Sequence, residues 1–209
     1  VMKRNQVELG GSAVGIIKNK KNLILSSKLN VNDQIILLRS NGMNANGASF
    51  FRALIKTLPD KYSTKLPNGK FLGEEILSKS NIYARLIRDL QDNNVDIHYV
   101  SNITGHGLRK IMRADRDYEY VIENIFPATG IFRYILQSTH MTPEEAYGTF
   151  NMGQDYAIFV PQKDVEKTLT IIKKNKFRGI HAGYVKKGTR SVILKPLNIT
   201  FDAKSLKVR

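Results

Sequence analysis

Apolar positions along the chain change period several times, and each change marks an element. Gln34-Ile35-Ile36-Leu37-Leu38-Arg39 has the length and branching of a buried strand. Beyond it Phe50, Phe51, Leu54, Ile55 and Leu58 recur at helical spacing. Upstream, Ser12–Lys18 reads as a strand, Asn19–Asn22 as a turn and Leu23–Leu25 as a short strand. Pro59–Gly73 is polar, with Pro67-Asn68-Gly69 as a turn, and is expected to be a surface excursion. Glu74–Asn93 places Leu77, Tyr83, Leu86, Ile87 and Leu90 at the spacing of an amphipathic helix.

The remainder alternates between strand and helix patterns. Val95–Val100 and Tyr118–Ile125 read as strands, with a helical segment at Leu108–Ala114 between them. Gly130–Ser138 is a short apolar helix. Thr142-Pro143-Glu144-Glu145 is a helix start, with Thr as cap, Pro at the first position and Glu three residues after the cap. Tyr156–Val160 is a strand, and Lys163–Asn175 a helix with Val165, Leu169 and Ile172 inward. Gly179–Lys186, the turn Lys187-Gly188 and Arg190–Lys195 read as a closing hairpin. The fold class is α/β, a mixed sheet flanked by helices, in one domain over residues 1–201 with a basic tail at 202–209.

Three polar turns punctuate this pattern. Ser40-Asn41-Gly42-Met43-Asn44-Ala45-Asn46-Gly47-Ala48-Ser49 joins the buried strand to its helix. A strand, a Gly- and Asn-rich loop and a helix start together can aim backbone N–H groups at an anion. The same residue types also suit an ordinary turn. Thr104-Gly105-His106-Gly107 repeats the layout, and Thr149-Phe150-Asn151-Met152-Gly153 precedes the strand at 156. Three such turns in one α/β domain can converge at one sheet edge, where ligands of these folds collect. The candidate phosphate- or substrate-binding residues are therefore Gly42, Asn44, Asn46, Gly47, Thr104, Gly105, Gly107, Asn151 and Gly153. His106 is the candidate for phosphate contact or proton transfer, and a capping residue is the plainer alternative.

Composition narrows the partners. Among 209 residues, 42% are hydrophobic and none is cysteine, which fits a globular protein of a reducing, cytoplasmic setting. No apolar run approaches bilayer-spanning length, so no membrane partner is expected. The four histidines lack metal-ligand spacing, and no metal site is expected in this chain. Lys and Arg outnumber Asp and Glu by 33 to 18, a net charge of +15. That charge lies in short clusters such as Lys18-Asn19-Lys20-Lys21 and Lys173-Lys174-Asn175-Lys176, placed where turns and helix ends fall. No nucleic-acid motif accompanies them. A solvated face explains these clusters; a surface that draws in a polyphosphate or a sugar phosphate is at least as good a reading as a nucleic-acid one, and nucleic acid is not expected as partner.

The three turns carry a family resemblance. S-N-G-M-N-A-N-G-A-S at 40–49 resembles the S-S-G-x-H-S-N-G-x-S loop of aminoimidazole ribonucleotide synthetases, the phosphoribosylformylglycinamidine cyclo-ligases. I-T-G-H-G at 103–107 is similar to their L-T-G-G-G turn, and T-F-N-M-G at 149–153 to their M-Y-R-T-F-N-x-G segment. The resemblance covers roughly residues 8–200, all of it the family's C-terminal domain. It implies that ATP activates a formyl amide oxygen of a sugar-phosphate substrate, after which a nitrogen attacks to close an imidazole ring. It also implies a homodimeric intact protein, with ATP and Mg bound mainly by an N-terminal domain that this chain lacks. Val1 is not a start methionine, and the chain is expected to be the interior of a longer polypeptide, inactive in isolation.

Departures from the family pattern are equally legible. Asn44 and Ala45 stand where the family has His and Ser, and His106 replaces a glycine. The segment after the second turn is one residue shorter and lacks a Glu-Asn pair. Gln154-Asp155 stands where the family has a further glycine. These leave open a related ATP-dependent synthetase or kinase, or a non-catalytic phosphate- or partner-binding module on the same scaffold.

Overall fold

The computed structural model describes residues 10–17, 19–44, 46–128 and 130–206. Among them seven strands form one mixed sheet: β1 (Gln34–Arg39), β2 (Tyr99–Asn102), β3 (Tyr118–Ile122), β4 (Gln154–Val160), β5 (Gly179–Lys187), β6 (Ser191–Leu194) and β7 (Ile199–Asp202). Their order is β2-β4-β1-β5-β3-β6-β7, with β3 and β6 parallel and every other pair antiparallel.

β1 lies near the middle because its run of Ile and Leu has no polar face. Ile35 and Leu37 join the larger core, which is covered by α1 (Ala48–Thr57), α4 (Ile131–Ser138), α5 (Pro143–Thr149) and a 3-10 segment, Gly107–Ala114. Ile36 and Leu38 enter a second core on the opposite face, under α3 (Ala84–Asp92) and α6 (Val165–Lys174). All four side chains are completely buried. Two covered faces explain a strand without alternation. α5 begins as its sequence demands, with Glu145 N–H donating to Thr142 Oγ1 and Thr142 N–H returning to Glu145 Oε2.

Tertiary contacts override the local pattern in several places. Residues 11–17 form no strand, and Val14 and Ile16 are exposed; the last residue of that expected strand, Lys18, lies outside the described residues. Leu23–Leu25 is an irregular link between 3-10 turns at Lys20–Asn22 and Ser26–Lys28. The expected long helix at 74–93 divides into α2 (Leu72–Ile76) and α3, and the link leaves Leu77 82% exposed. Asn81, inside that link, donates instead to Arg39 O, to Tyr83 Oη and to Asp155, bonds a helical course forgoes. The 59–73 excursion sinks Leu66 and Leu72 into the core. β2 starts four residues later than expected, although Val95 and Ile97 are buried and His98 N–H already donates to Phe159 O.

The expected closing hairpin does not form. β3 lies between β5 and β6, pairing Tyr120 with Val185 on one side and with Val192 on the other. A ladder on both sides buries Tyr120 and Ile122 fully, which a β5–β6 hairpin cannot do. At the C-terminus Asp202 still belongs to β7, and Ala203–Leu206 forms a turn that buries Leu206 in the larger core. The fold therefore continues past the expected boundary at 201.

Leu37→Ala should cost about 3 kcal/mol through cavity formation, whereas Leu77→Ala should change stability by less than about 0.5 kcal/mol. Urea denaturation of the two variants checks this, and equal losses contradict the layering.

Candidate functional site

The three turns meet at the C-terminal end of β1. Asn151, 2% exposed, donates through Nδ2 to Gly42 O at 2.9 Å, and its Oδ1 accepts Gly153 N–H at 3.0 Å. Ser40 N–H donates to Gly153 O at 2.9 Å. The first loop is thus strapped to the third turn. Asn46 Nδ2 donates to Thr149 O at 2.9 Å, and a Cβ built on Gly105 would lie 3.1 Å from Asn46 Oδ1. The second turn packs beside both.

These bonds sort the candidate residues. Gly42 N–H is taken by Ser40 Oγ, Gly107 N–H by Thr104 O and Gly153 N–H by Asn151 Oδ1. Those three glycines, with Asn151, are framework and not ligand donors. Gly107 is needed for close approach: at φ +53° its Cβ would fall 1.9 Å from Tyr147 O. Gly47 has φ +90° and sits at the start of α1 with no side-chain cap. The first intrahelical bond from Gly47 O goes to Phe51 N–H, so the N–H groups of Ala48, Ser49 and Phe50 point out of the helix start. Gly47, Gly105 and that helix start are the backbone donors the site retains.

Lys110 is not among the candidate residues of the sequence. Its ammonium donates to Asn102 Oδ1 at 2.8 Å and to Thr104 Oγ1, which places a positive charge on the second turn. Burial, with a lesser push from Arg113, lowers its pKa below the ordinary lysine value. Its neighbour Arg109 faces inward, donating to Gly148 O and Ser205 O and stacking over Phe201 at 5.8 Å. His106 is left-handed at φ +73° where it precedes the 3-10 segment. Its ring forms no hydrogen bond among the described residues, and its carbonyl accepts from Arg109.

Two of the departures noted in the sequence turn out to be partners. Asp155, 5% exposed, accepts from Asn44 Nδ2 at 2.5 Å through one oxygen. Its other oxygen accepts from Tyr83 Oη at 2.5 Å and from Asn81 Nδ2 at 3.0 Å. Burial, and then the adjacent carboxylate charge, push the Tyr83 phenol up, so it stays a neutral donor. Asn44 Oδ1 is buried without a hydrogen-bond partner among the described residues. Asn44 is thereby directed into the protein and not toward an incoming anion. Among the described residues no three His, Asp or Glu side chains gather as a metal-holding set. N–H groups and an ammonium suit phosphate oxygens and give Mg²⁺ no ligand.

The pattern of the family described as AIR synthase related protein, C-terminal domain, matches residues 30–195. The chain belongs to that family. It is 33% identical over 197 residues to the phosphoribosylformylglycinamidine cyclo-ligase of Pyrococcus horikoshii, covering 94% of this chain and 56% of that protein. It is 29% identical over 194 residues to the cyclo-ligase of Gloeothece citriformis, covering 90% and 56%. The chain thus spans about half the length of the curated relatives it matches. Among solved structures, HypE of E. coli, a hydrogenase maturation protein, superposes with a TM-score of 0.57 at 15% identity over 89% of this chain and 53% of that one. Thiamine-monophosphate kinase from Stenotrophomonas maltophilia gives 0.55 at 11% identity over 84% and 54%. These establish the shared fold of an AIR synthase-related C-terminal domain.

Gly107→Ala should cost more than about 3 kcal/mol, because backbone oxygens fill the space, while Gly105→Ala should cost less than about 1 kcal/mol. Equal losses on denaturation contradict the division into framework and open turn. After reductive ¹³C-dimethylation, the Lys110 resonance should titrate at lower pH than exposed lysines, since burial penalises its charged form. Arg113→Ala should raise that midpoint; coincident titration of Lys110 with the surface lysines contradicts the placement.

Proposed function

We propose that this domain is the C-terminal half of an ATP-dependent cyclo-ligase of purine biosynthesis, converting formylglycinamidine ribonucleotide to aminoimidazole ribonucleotide, and that its glycine turns hold a phosphate of the substrates. The observation that carries this is the meeting of three turns at the uncapped start of α1, with Gly105 and Lys110 beside it. Helix-start N–H groups carry partial positive charge, and an ammonium on a hydrogen-bonded turn adds a full one. The cyclo-ligase names of the relatives support the reaction assigned to the site.

In this reaction ATP phosphorylates the formyl amide oxygen, turning it into a leaving group. The amidine nitrogen then attacks that carbon, phosphate departs and the ring closes. The chain's own part is to fix position: the N–H groups of Gly47 to Phe50 and Gly105 hold a phosphate, and Lys110 offsets its charge. The strap from Asn151 keeps the first loop in place while the phosphate is held. His106, at the mouth of the second turn, is available for a phosphate contact or a proton. In this reading ATP and Mg²⁺ are bound mainly by an N-terminal domain, the intact enzyme is a homodimer, and it works in the cytoplasm.

One observation favours a second reading, a binding module without turnover. Asn44 is bonded to Asp155 where the family carries His in the loop, which removes an imidazole from the crevice. Addition of a cyclo-ligase N-terminal domain in trans separates the two. The 209-residue chain alone should show no turnover of formylglycinamidine ribonucleotide, and the pair should restore ATP-dependent ring closure. Turnover by the chain alone refutes the division of labour. Binding of a ribose phosphate without any turnover by the pair favours the module.

A further inference from the structure

Beyond the glycine turns, the geometry points to a second anion site: the cleft at the end of β1 is built to take a small phosphate-bearing molecule, whether or not the chain is a cyclo-ligase. The cleft has a volume of about 530 Å³, within the range of small-ligand sites. Arg39, Lys70, Lys176 and Arg178 line it against a single carboxylate, Glu75. These cations come from three separate segments, with Lys176 and Arg178 on one of them, so the fold brings the set together.

Their supports are rigid. Arg39 N–H donates to Arg178 O at 2.9 Å, tying two of the cationic residues through the backbone. The Arg39 guanidinium lies 6.0 Å from the centroid of the Phe126 ring, which limits where it can swing. Lys176 takes a left-handed turn at φ +63°, and Phe177 beside it packs on Tyr83 at 4.9 Å. Glu75 is buried, and its Oε1 accepts Asn68 Nδ2 at 3.1 Å and pairs with Lys70 at 3.4 Å. Among the described residues Arg39, Lys176 and Arg178 have no acidic partner. Three uncompensated positive charges around one concave, polar-lined space focus a field that a dianion neutralises. A neighbouring hollow of about 430 Å³ extends the same charge with Arg85, Lys174 and Lys176 against Asp89.

Lys174, Asn175 and Lys176 of the basic cluster thus line specific hollows, where the sequence offered only a general basic surface. A phosphate or pyrophosphate group fits this arrangement because guanidinium forks bind its oxygens in pairs. Ser40 and Asn41, which open the first turn, also line the cleft, but the glycine turns share none of its cations, so substitutions at Lys176 and Arg178 separate the two sites.

The test is a titration of the whole ¹⁵N-labelled chain with inorganic pyrophosphate, followed by amide NMR. Saturable shifts are expected at Ser40, Asn41, Lys176 and Arg178, weakening as salt rises. Arg178→Ala and Lys176→Glu should each weaken that binding about tenfold or more while leaving the shifts at Gly105 unchanged. Lys176 lies on an exposed turn, so its variant reads out even if Arg178→Ala disturbs β5. Absence of saturable shifts at the cleft, or wild-type affinity in Lys176→Glu, overturns the site. Binding of an RNA oligonucleotide at concentrations where pyrophosphate does not bind overturns the small-molecule assignment.

Discussion

The buried amide of Asn151 is the interaction on which the site depends. One side-chain amide takes the carbonyl of Gly42 and the N–H of Gly153, joining the loop after β1 to the turn before β4. Losing the amide strands the buried Gly153 N–H, at a cost of about 1–3 kcal/mol, and leaves Gly42 O with the Ser40 hydroxyl alone. The contacts around the proposed phosphate site adjoin this strap: Asn46 against Thr149, Gly105 against Asn46, and the bare start of α1. Asn151 is therefore a positioning residue.

The pair Asn44 and Asp155 shows how a family scaffold absorbs unusual residues. A buried carboxylate needs donors, and Asn44, Asn81 and Tyr83 supply three. Asn44 supplies the donor to one Asp155 oxygen, Tyr83 and Asn81 those to the other, and Asn44 is drawn inward as a result. The two departures form one structural change. In the proposed phosphate site it leaves backbone donors and Lys110, not the Asn44 side chain, to meet the ligand.

Much of the fold is legible in the sequence itself. β1 and α1 lie where branching and 3.6-residue spacing put them, and Thr142 to Glu145 is capped as written. Local chemistry decides those elements. The sequence misled where distant partners decide. β3 enters between β5 and β6 because pairing is nonlocal, and Ser12 to Ile17, patterned as a strand, finds no neighbour to pair with. Periodicity carried a helix through Asn81, whose side chain instead serves Arg39, Tyr83 and Asp155. In the candidate site, glycine content marks the turns that meet at the end of β1 but cannot say which N–H groups are spent. Gly42, Gly107 and Gly153 look like Gly47 and Gly105 until their bonds are traced. Lys110 had one available signal, its place six residues after Thr104 at the helical segment that the turn opens.

The central claim is that the strapped turns hold a phosphate at the start of α1, and ribose 5-phosphate titrated into the ¹⁵N-labelled chain tests it most directly. The account predicts saturable amide shifts at Gly47 to Phe50 and at Gly105 that vanish in Asn151→Ala under conditions where that variant remains folded. Saturable shifts confined to other parts of the chain, or shifts at Gly47 to Phe50 that survive unchanged in Asn151→Ala, contradict it.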